Sequence, residues 1–284
     1  MHRRRFAWMV APAIAFVAVM VGFPFAYTLW LSGFAFHFGA APHPVGLGNY
    51  RLLAGDAKFW NGLWVTLYLY ALALSAQLVL GLWLALLLNR VHRFRRLVRS
   101  VLISPFVLPP VVVGLMWLVI LDPSIGAANY LLGLIGIPPS LWLASPGFVI
   151  PTVALIDTWQ WTPFIALILL AGLQALPHEV FEAAAIDGAH GVALLRRVTL
   201  PLLAPSIVTA ATLRSVDLLR FFDVIYVTTQ GGPGGASETL NIYGFRQGFI
   251  YFNVGYACAL MVALTVLVLG AVGMFARLRR AVAW

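Results

Sequence analysis

Charge is scarce in this chain. Only 10% of its 284 residues are Asp, Glu, Lys or Arg and 62% are hydrophobic, whereas a soluble domain carries about 25% charge. A water-soluble fold is excluded and a membrane protein is expected. Cysteine is almost missing: Cys258 alone rules out an internal disulfide and a cysteine-based metal site. Lysine is equally rare. Lys58 is the only one, and its surroundings, GDAKFWNG, do not supply the G-x-x-x-x-G-K-[ST] loop that cradles nucleotide phosphates. ATP hydrolysis by that route is excluded. No His, Asp and Glu cluster has metal-ligand spacing, and no Ser, His and Asp set can be placed together. No catalytic residue and no metal site are expected, so the chain does not read as an enzyme. Internal repeats and low-complexity tails are also missing.

What is present is a series of long apolar runs. The basic start MHRRR is followed by apolar sequence to about Phe36. A signal peptide has a shorter apolar core, about 7–15 residues, so a retained helix is expected over about Trp8–Ser32. Further spans are expected at Leu63–Leu88, Val101–Leu121, Phe148–Leu173, Leu202–Thr228 and Val254–Phe275. Each is long enough for a bilayer core of about 30 Å at about 1.5 Å per residue. The expected fold is all-α, with six transmembrane helices in a single domain over residues 1–284 and both termini on one side. Thirteen arginines (Arg3, Arg4, Arg5, Arg90, Arg93, Arg95, Arg96, Arg99, Arg196, Arg197, Arg277, Arg279 and Arg280) fall on one face, against Arg51, Lys58 and Arg246 on the other. The positive-inside rule then puts both termini and the loop His178–Pro201 in the cytoplasm. The same clustering explains the net charge of +9 without nucleic acid.

The outward loops carry local signals. Gly46 and Gly48 suggest turns in Ala40–Trp60, followed by a short helix. The glycines and prolines of Asp122–Pro146 suggest a hairpin or short helices. QGGPGGAS, from Gln230, is a tight turn. Inside the third span, Ser104-Pro105 and Pro109-Pro110 remove helix hydrogen bonds and predict a kink, whose freed carbonyl needs a partner from neighbouring protein or water. That kink serves packing or lines a pathway.

The loop HEVFEAAAIDGAHGVALLRRVTLP, His178–Pro201, mixes charge, glycine and amphipathic pattern. Pro177 suits the first turn of a helix, and Glu179 and Glu182 suit its positive end. Phe181, Ala184 and Ala185 form one small apolar face. Gly188 breaks the helix, His190 faces solvent, and a second amphipathic run, Val192–Leu200, stops at Pro201. The pattern describes either a connector resting on lipid headgroups or a dock for a partner.

EAAAIDGAHGVALLRRVTLP resembles the EAA loop of binding-protein-dependent ABC importer permeases. Glu182, Ala183, Ala184, Asp187, Gly188, Ala189 and Pro201 match the family pattern, and Leu195 stands where Phe is common. WQWTPFIALILLAGLQALP, LRFFDVIYVTTQGGPGGASETL and GLGNY (Gly46–Tyr50) resemble the maltose, glycerol-3-phosphate and polyol branch. The resemblance implies a type I ABC importer permease in a bacterial or archaeal cytoplasmic membrane, with a coupling helix between spans four and five. It implies that Glu182, Ala183, Ala184, Asp187, Gly188 and Ala189 couple to a cytoplasmic ATPase dimer, which binds the ATP and magnesium; this chain holds no cofactor. It further implies a second, related permease as heterodimer partner, an extracytoplasmic solute-binding protein, and a sugar or polyol as solute. A secondary transporter or channel is the competing class, but it would show matched broken helices in both halves. A glycerol-3-phosphate permease is the alternative within the family.

Two groups are candidates for the solute pathway. In span five, Arg214, Asp217, Arg220 and Asp223 alternate in sign every three residues, so each Arg is expected to pair with the next Asp along the helix. They form a self-neutralised structural ladder or a polar wall for hydroxyl groups; ionisable groups at membrane depth usually face the bundle interior or water. The alternative for Asp223, nearest the outer surface, is a brace for the QGGPGG turn. In span four, Asp157, Trp159, Gln160 and Trp161 combine carboxylate, amide and indole, which suits sugars. Trp is also an interfacial anchor. Gln77 and Trp117 read chiefly as packing residues. Because both intramembrane arginines have acidic neighbours, a neutral solute is expected over a phosphorylated one.

Overall fold

The computed structural model describes residues 2–90 and 95–282. Arg93 lies outside the described residues, as do the side chains of Arg3, Arg4, Arg5, Arg95, Arg96 and Arg99. In chain order the helices are α1 (His2–Val17), α2 (Phe23–Leu31), α3 (Gly48–Gly55), α4 (Ala57–Arg90), α5 (Arg95–Val107), α6 (Pro110–Ile120), α7 (Ala127–Leu134), α8 (Val149–Gln174), α9 (His178–Ile186), α10 (Gly191–Leu194), α11 (Leu200–Leu219), α12 (Asp223–Thr228), α13 (Leu240–Phe245) and α14 (Val254–Val282). One π-turn, Ala18–Gly22, joins α1 to α2. Two short strands, β1 (Phe34–Ala35) and β2 (His43–Pro44), form an antiparallel pair. Among the described residues, five helical stretches are long and apolar enough to cross a membrane, or six when α5 and α6 count as one broken span.

The chain divides into two compact units. The first comprises residues 1–60 and 243–266. Its α2 exposes apolar side chains along most of its length, as expected of a helix facing lipid. The conformation after α2 is held by Asn49, the asparagine of GLGNY. Its buried amide donates 2.8 Å hydrogen bonds to the carbonyls of Ser32 and Phe34, and Tyr50 meets the Ser32 hydroxyl at 2.7 Å. Asp56 precedes α4. Its Oδ2 accepts hydrogen bonds from Tyr243 (2.5 Å) and Tyr256 (2.6 Å), and its Oδ1 accepts from the Lys58 amide. Burial pushes the Asp56 carboxyl up, but the tyrosine hydroxyls and the Lys58 and Phe59 amides outweigh it and hold it below its ordinary value. Burial and the Asp56 hydrogen bond push the Tyr243 phenol up to about 12.

The second unit comprises residues 61–242 and 267–284. Its centre is α8, most of whose side chains, polar ones included, are buried by its neighbours. One apolar cluster joins Leu69, Val153, Ile156, Leu218 and Ile225, and another joins Ala85, Ile165, Leu169 and Leu203. Close helix approach is made by glycine: a Cβ at Gly172 of α8 would lie 2.8 Å from Ser206 Cβ and 2.9 Å from Leu203 Cδ1 of α11.

Three expectations are modified. The third span is not a kinked helix; α5 and α6 meet at 98° across Leu108 and Pro109. Two successive prolines deny the turn its donors, and the Leu108 carbonyl accepts a 2.9 Å bond from the Gln160 amide of α8. The fifth span is interrupted between Leu219 and Asp223, where Phe222 leaves helical geometry. The exposed carbonyls of Arg220 and Phe221 accept from Asn241 at 2.7 Å and Thr239 at 3.4 Å. The run after the EAA turn does not stop at Pro201. A π-turn, Leu195–Thr199, carries it into α11 with Pro201 at the start of that helix, where a missing N–H costs least.

Candidate functional site

Three spans contribute one buried polar cluster. Arg214 of α11 is 1% exposed and Asp157 of α8 is 0% exposed. Arg214 Nη2 donates to Asp157 Oδ2 at 2.6 Å. Gln77 of α4, also fully buried, closes the set: Arg214 Nε donates to Gln77 Oε1 at 2.9 Å, and Gln77 Nε2 donates to Asp157 Oδ2 at 2.5 Å. The Trp161 ring lies 4.2 Å from the Arg214 guanidinium carbon. A charge at this depth is tolerated because it is paired, hydrogen-bonded and stacked.

The ladder expectation is therefore corrected. The closest ion pair of Arg214 runs between helices, to Asp157, while Asp217 stands 3.7 Å away on its own helix. Arg220 also meets Asp217 at 3.7 Å, but both are exposed. Asp223 opens α12 past the interruption. Spacing of three allows pairing along a helix; a shorter, buried partner on α8 takes precedence because it also neutralises Asp157.

The cluster opens onto a cavity of about 360 Å³. Asp157, Gln160, Trp161, Arg214, Asp217, Arg220 and Asp223 all line it, with Pro110, Phe221, Phe222, Val224 and Asn241. Trp159 does not. Asp157, Gln160 and Trp161 share one face of α8 at i, i+3 and i+4; Trp159 points elsewhere, packs edge-on against Trp117 at 5.6 Å, and lines a separate, largely apolar cavity with Trp83 and Pro163. Among the described residues Asp157 Oδ1 and Gln160 Oε1, both buried, find no donor. The Leu108 carbonyl fixes the Gln160 amide orientation, since a carbonyl accepts only a donor. The half-buried Trp161 indole and the exposed Asp217, Arg220 and Asp223 of the lining can take a ligand that offers hydroxyl groups and apolar C–H faces. Among the described residues no group of three His, Cys, Asp or Glu is placed to hold a metal ion. Gln77 was undervalued by sequence reasoning; its signal was an amide in the middle of an apolar span.

The loop between spans four and five forms a second feature. Pro177 immediately precedes α9 rather than occupying its first turn. At the other end, the Ala189 amide bonds the Ala184 carbonyl at 2.8 Å and the Gly188 amide bonds Ala185 at 3.1 Å. Gly188 has φ +75°. This is a Schellman stop, which needs a left-handed residue at the glycine. Glu182, Ala183, Asp187 and Gly188 are exposed, Ala189 is partly so and Ala184 is buried; of the expected face, Phe181 is half-buried and Ala185 exposed. Ile186 is 88% exposed.

The family model "Binding-protein-dependent transport system inner membrane component" matches residues 77–281. The chain belongs to that family. As a permease of this kind it is 37% identical over 256 residues to the probable ABC transporter permease protein y4oQ of Sinorhizobium fredii, covering 89% of this chain and 82% of that one. It is 36% identical over 251 residues to the trehalose/maltose transport system permease protein MalF of Thermococcus litoralis, covering 87% and 83%. A chain from the crystal structure of a bacterial alginate ABC transporter, in complex with an alginate pentasaccharide-bound periplasmic protein, superposes with a TM-score of 0.84 over 98% of this permease and 96% of that chain, at 22% identity. The fold is that of a type I ABC importer permease, multi-pass and membrane-embedded.

Proposed function

We propose that this permease moves a neutral sugar or polyol through the cavity beside the Asp157–Arg214–Gln77 cluster, driven by a separate ATPase that docks on the Glu182–Ala189 turn. The observation that carries the solute class is the cavity wall. It sets three carboxylates (Asp157, Asp217, Asp223) against two guanidiniums (Arg214, Arg220), and the buried guanidinium is already engaged by Asp157 and Gln77. A phosphorylated solute needs an uncommitted Arg fork; a hydroxylated one needs acceptors and an aromatic face. The trehalose/maltose name of one relative supports the same class.

In this reading α9 and its Schellman stop form the coupling helix, with Glu182 and Asp187 meeting the ATPase groove. ATP and magnesium belong to the ATPase dimer, and this chain uses no cofactor. A second, related permease completes the pathway, and an extracytoplasmic binding protein delivers solute. The arginine distribution supports an inner-membrane placement with both termini in the cytoplasm. A tagged pull-down from solubilised membranes tests the assignment. Wild type is expected to bring down an ATPase and a second permease, and Gly188→Pro to lose the ATPase alone. Absence of an ATPase with wild type, where other membrane complexes survive, sinks it.

A further inference from the structure

The second unit holds another cavity, larger than the one beside the polar cluster. It measures about 620 Å³, within the usual range of about 300–1,000 Å³ for ligand sites. It lies where α4 and α8 end, at Arg90 and Gln174, and where α9 and α10 begin. Its wall is amphiphilic. Leu86, Leu194 and Leu195 supply an apolar side, and Arg90, Gln174 and His178 a polar one.

Arg90 is exposed and joins no ion pair among the described residues. No Asp or Glu occurs between Asp56 and Asp122, and although α9, which opens the same cavity, carries Glu179 and Glu182, neither pairs with Arg90 among the described residues. Arg95, Arg96 and Arg99 follow it in α5, and Arg196 and Arg197 stand in the π-turn whose Leu195 and Thr199 line the cavity. An uncommitted guanidinium beside an apolar wall, at the end of membrane spans and within a basic field, has the chemistry of an anionic phospholipid site. The guanidinium takes the phosphate, the Gln174 amide takes headgroup hydroxyls, and the leucines take the start of the acyl chains.

We infer that this cavity binds an anionic, hydroxyl-bearing phospholipid of the phosphatidylglycerol type, headgroup on Arg90 and acyl chains along Leu86 and Leu194. The site is independent of the transport reading. Its test is retention of added lipid by the purified full chain in mild detergent, read by native mass spectrometry with phosphatidylglycerol, with phosphatidylcholine, and with phosphatidylglycerol plus inorganic phosphate. Phosphatidylglycerol is expected to be kept over phosphatidylcholine and not displaced by phosphate. Arg90→Gln is expected to weaken retention about fivefold, the weight of one basic residue near an anionic headgroup. Leu194→Trp is expected to remove retention by filling the apolar side with charge unchanged. Equal retention of phosphatidylcholine overturns the site, and displacement by phosphate shows a simple anion site instead. Loss with Arg90→Gln but not with Leu194→Trp shows adhesion to a basic surface and overturns the pocket. Unchanged retention in both variants, with elution and helicity as in wild type, does so as well.

Discussion

Asp157 and Arg214 are each other's reason for being buried. Removing one leaves the other charged and uncompensated, which costs about 3–5 kcal/mol for a buried pair. Asp157→Ala is therefore expected to lower the melting temperature and membrane yield sharply. Asp217→Ala is expected to do much less, because Asp217 is 45% exposed and stands 3.7 Å from Arg214. Thermal unfolding of the two variants in one detergent checks the order; a larger loss for Asp217→Ala would contradict the pairing. The acid side of a pH titration is shared by Asp122, held low by hydrogen bonds from Ile125 and Ser124, and by Asp56. The Asp56 carboxyl is held below its ordinary value, so the native state binds the proton less readily than the unfolded chain. Its contribution is present above the ordinary Asp range and is lost as pH falls through the lowered value. Asp56→Asn is expected to flatten the Asp56 part of that acid limb. The alkaline limb runs the other way: the Tyr243 phenol, pushed up to about 12, contributes stability below its ordinary value of about 10 that fades as pH rises towards 12. Tyr243→Phe removes that alkaline limb.

At the scale of elements, the break between α5 and α6 depends on a residue from another span. Gln160 donates to the Leu108 carbonyl that the prolines release. Gln160→Leu keeps the size but leaves a buried carbonyl unpaired, at about 1–3 kcal/mol. The expected readout is a lower melting temperature, together with faster proteolysis near residue 108. The α9 stop depends on backbone sign rather than contact. A Cβ at Gly188 would meet nothing within 4 Å, yet φ is +75°. Gly188→Ala is expected to cost about 1–2 kcal/mol, the left-handed penalty of an L-residue, and Gly188→Asn less. If Gly188→Ala matched wild type in loop protection by hydrogen exchange, the Schellman geometry would be wrong. The turn and the short helix before it were legible in the residues, because glycine after an alanine-rich run has few other meanings. The continuation through Pro201 was not, because a π-turn has no composition signal.

On the scale of the whole molecule, the long apolar helices, the matched family model and the superposed alginate transporter chain agree on a permease. On the proposed function, transport depends on chains outside this one. A transport assay on membranes holding the full complex is expected to show Gly188→Pro inactive at normal permease level. Trp161→Ala is expected to weaken uptake of a neutral sugar, since it removes the aromatic face beside Arg214, while Trp159→Ala leaves uptake near wild type. Equal loss in both tryptophan variants would show that the α8 face identified by the cavity is not the solute face.

Hydrophobic length and the turn at Gly188 are legible in local composition, which marked the apolar spans, five in the structure or six with α5 and α6 taken as one; the family came from the resemblance of the EAA loop and its flanks. Partner choice is a different kind of quantity. Arg214 could have made its closest ion pair along its own helix, where Asp217 stands at 3.7 Å, and Trp159 could have shared a wall with Trp161. Which option holds depends on how α4, α8 and α11 rotate against one another, and that is set by packing at positions such as Gly172 and Leu203. Only the tertiary structure placed Gln77 beside Asp157, since the two are 80 residues apart and nothing local in either span encodes the contact.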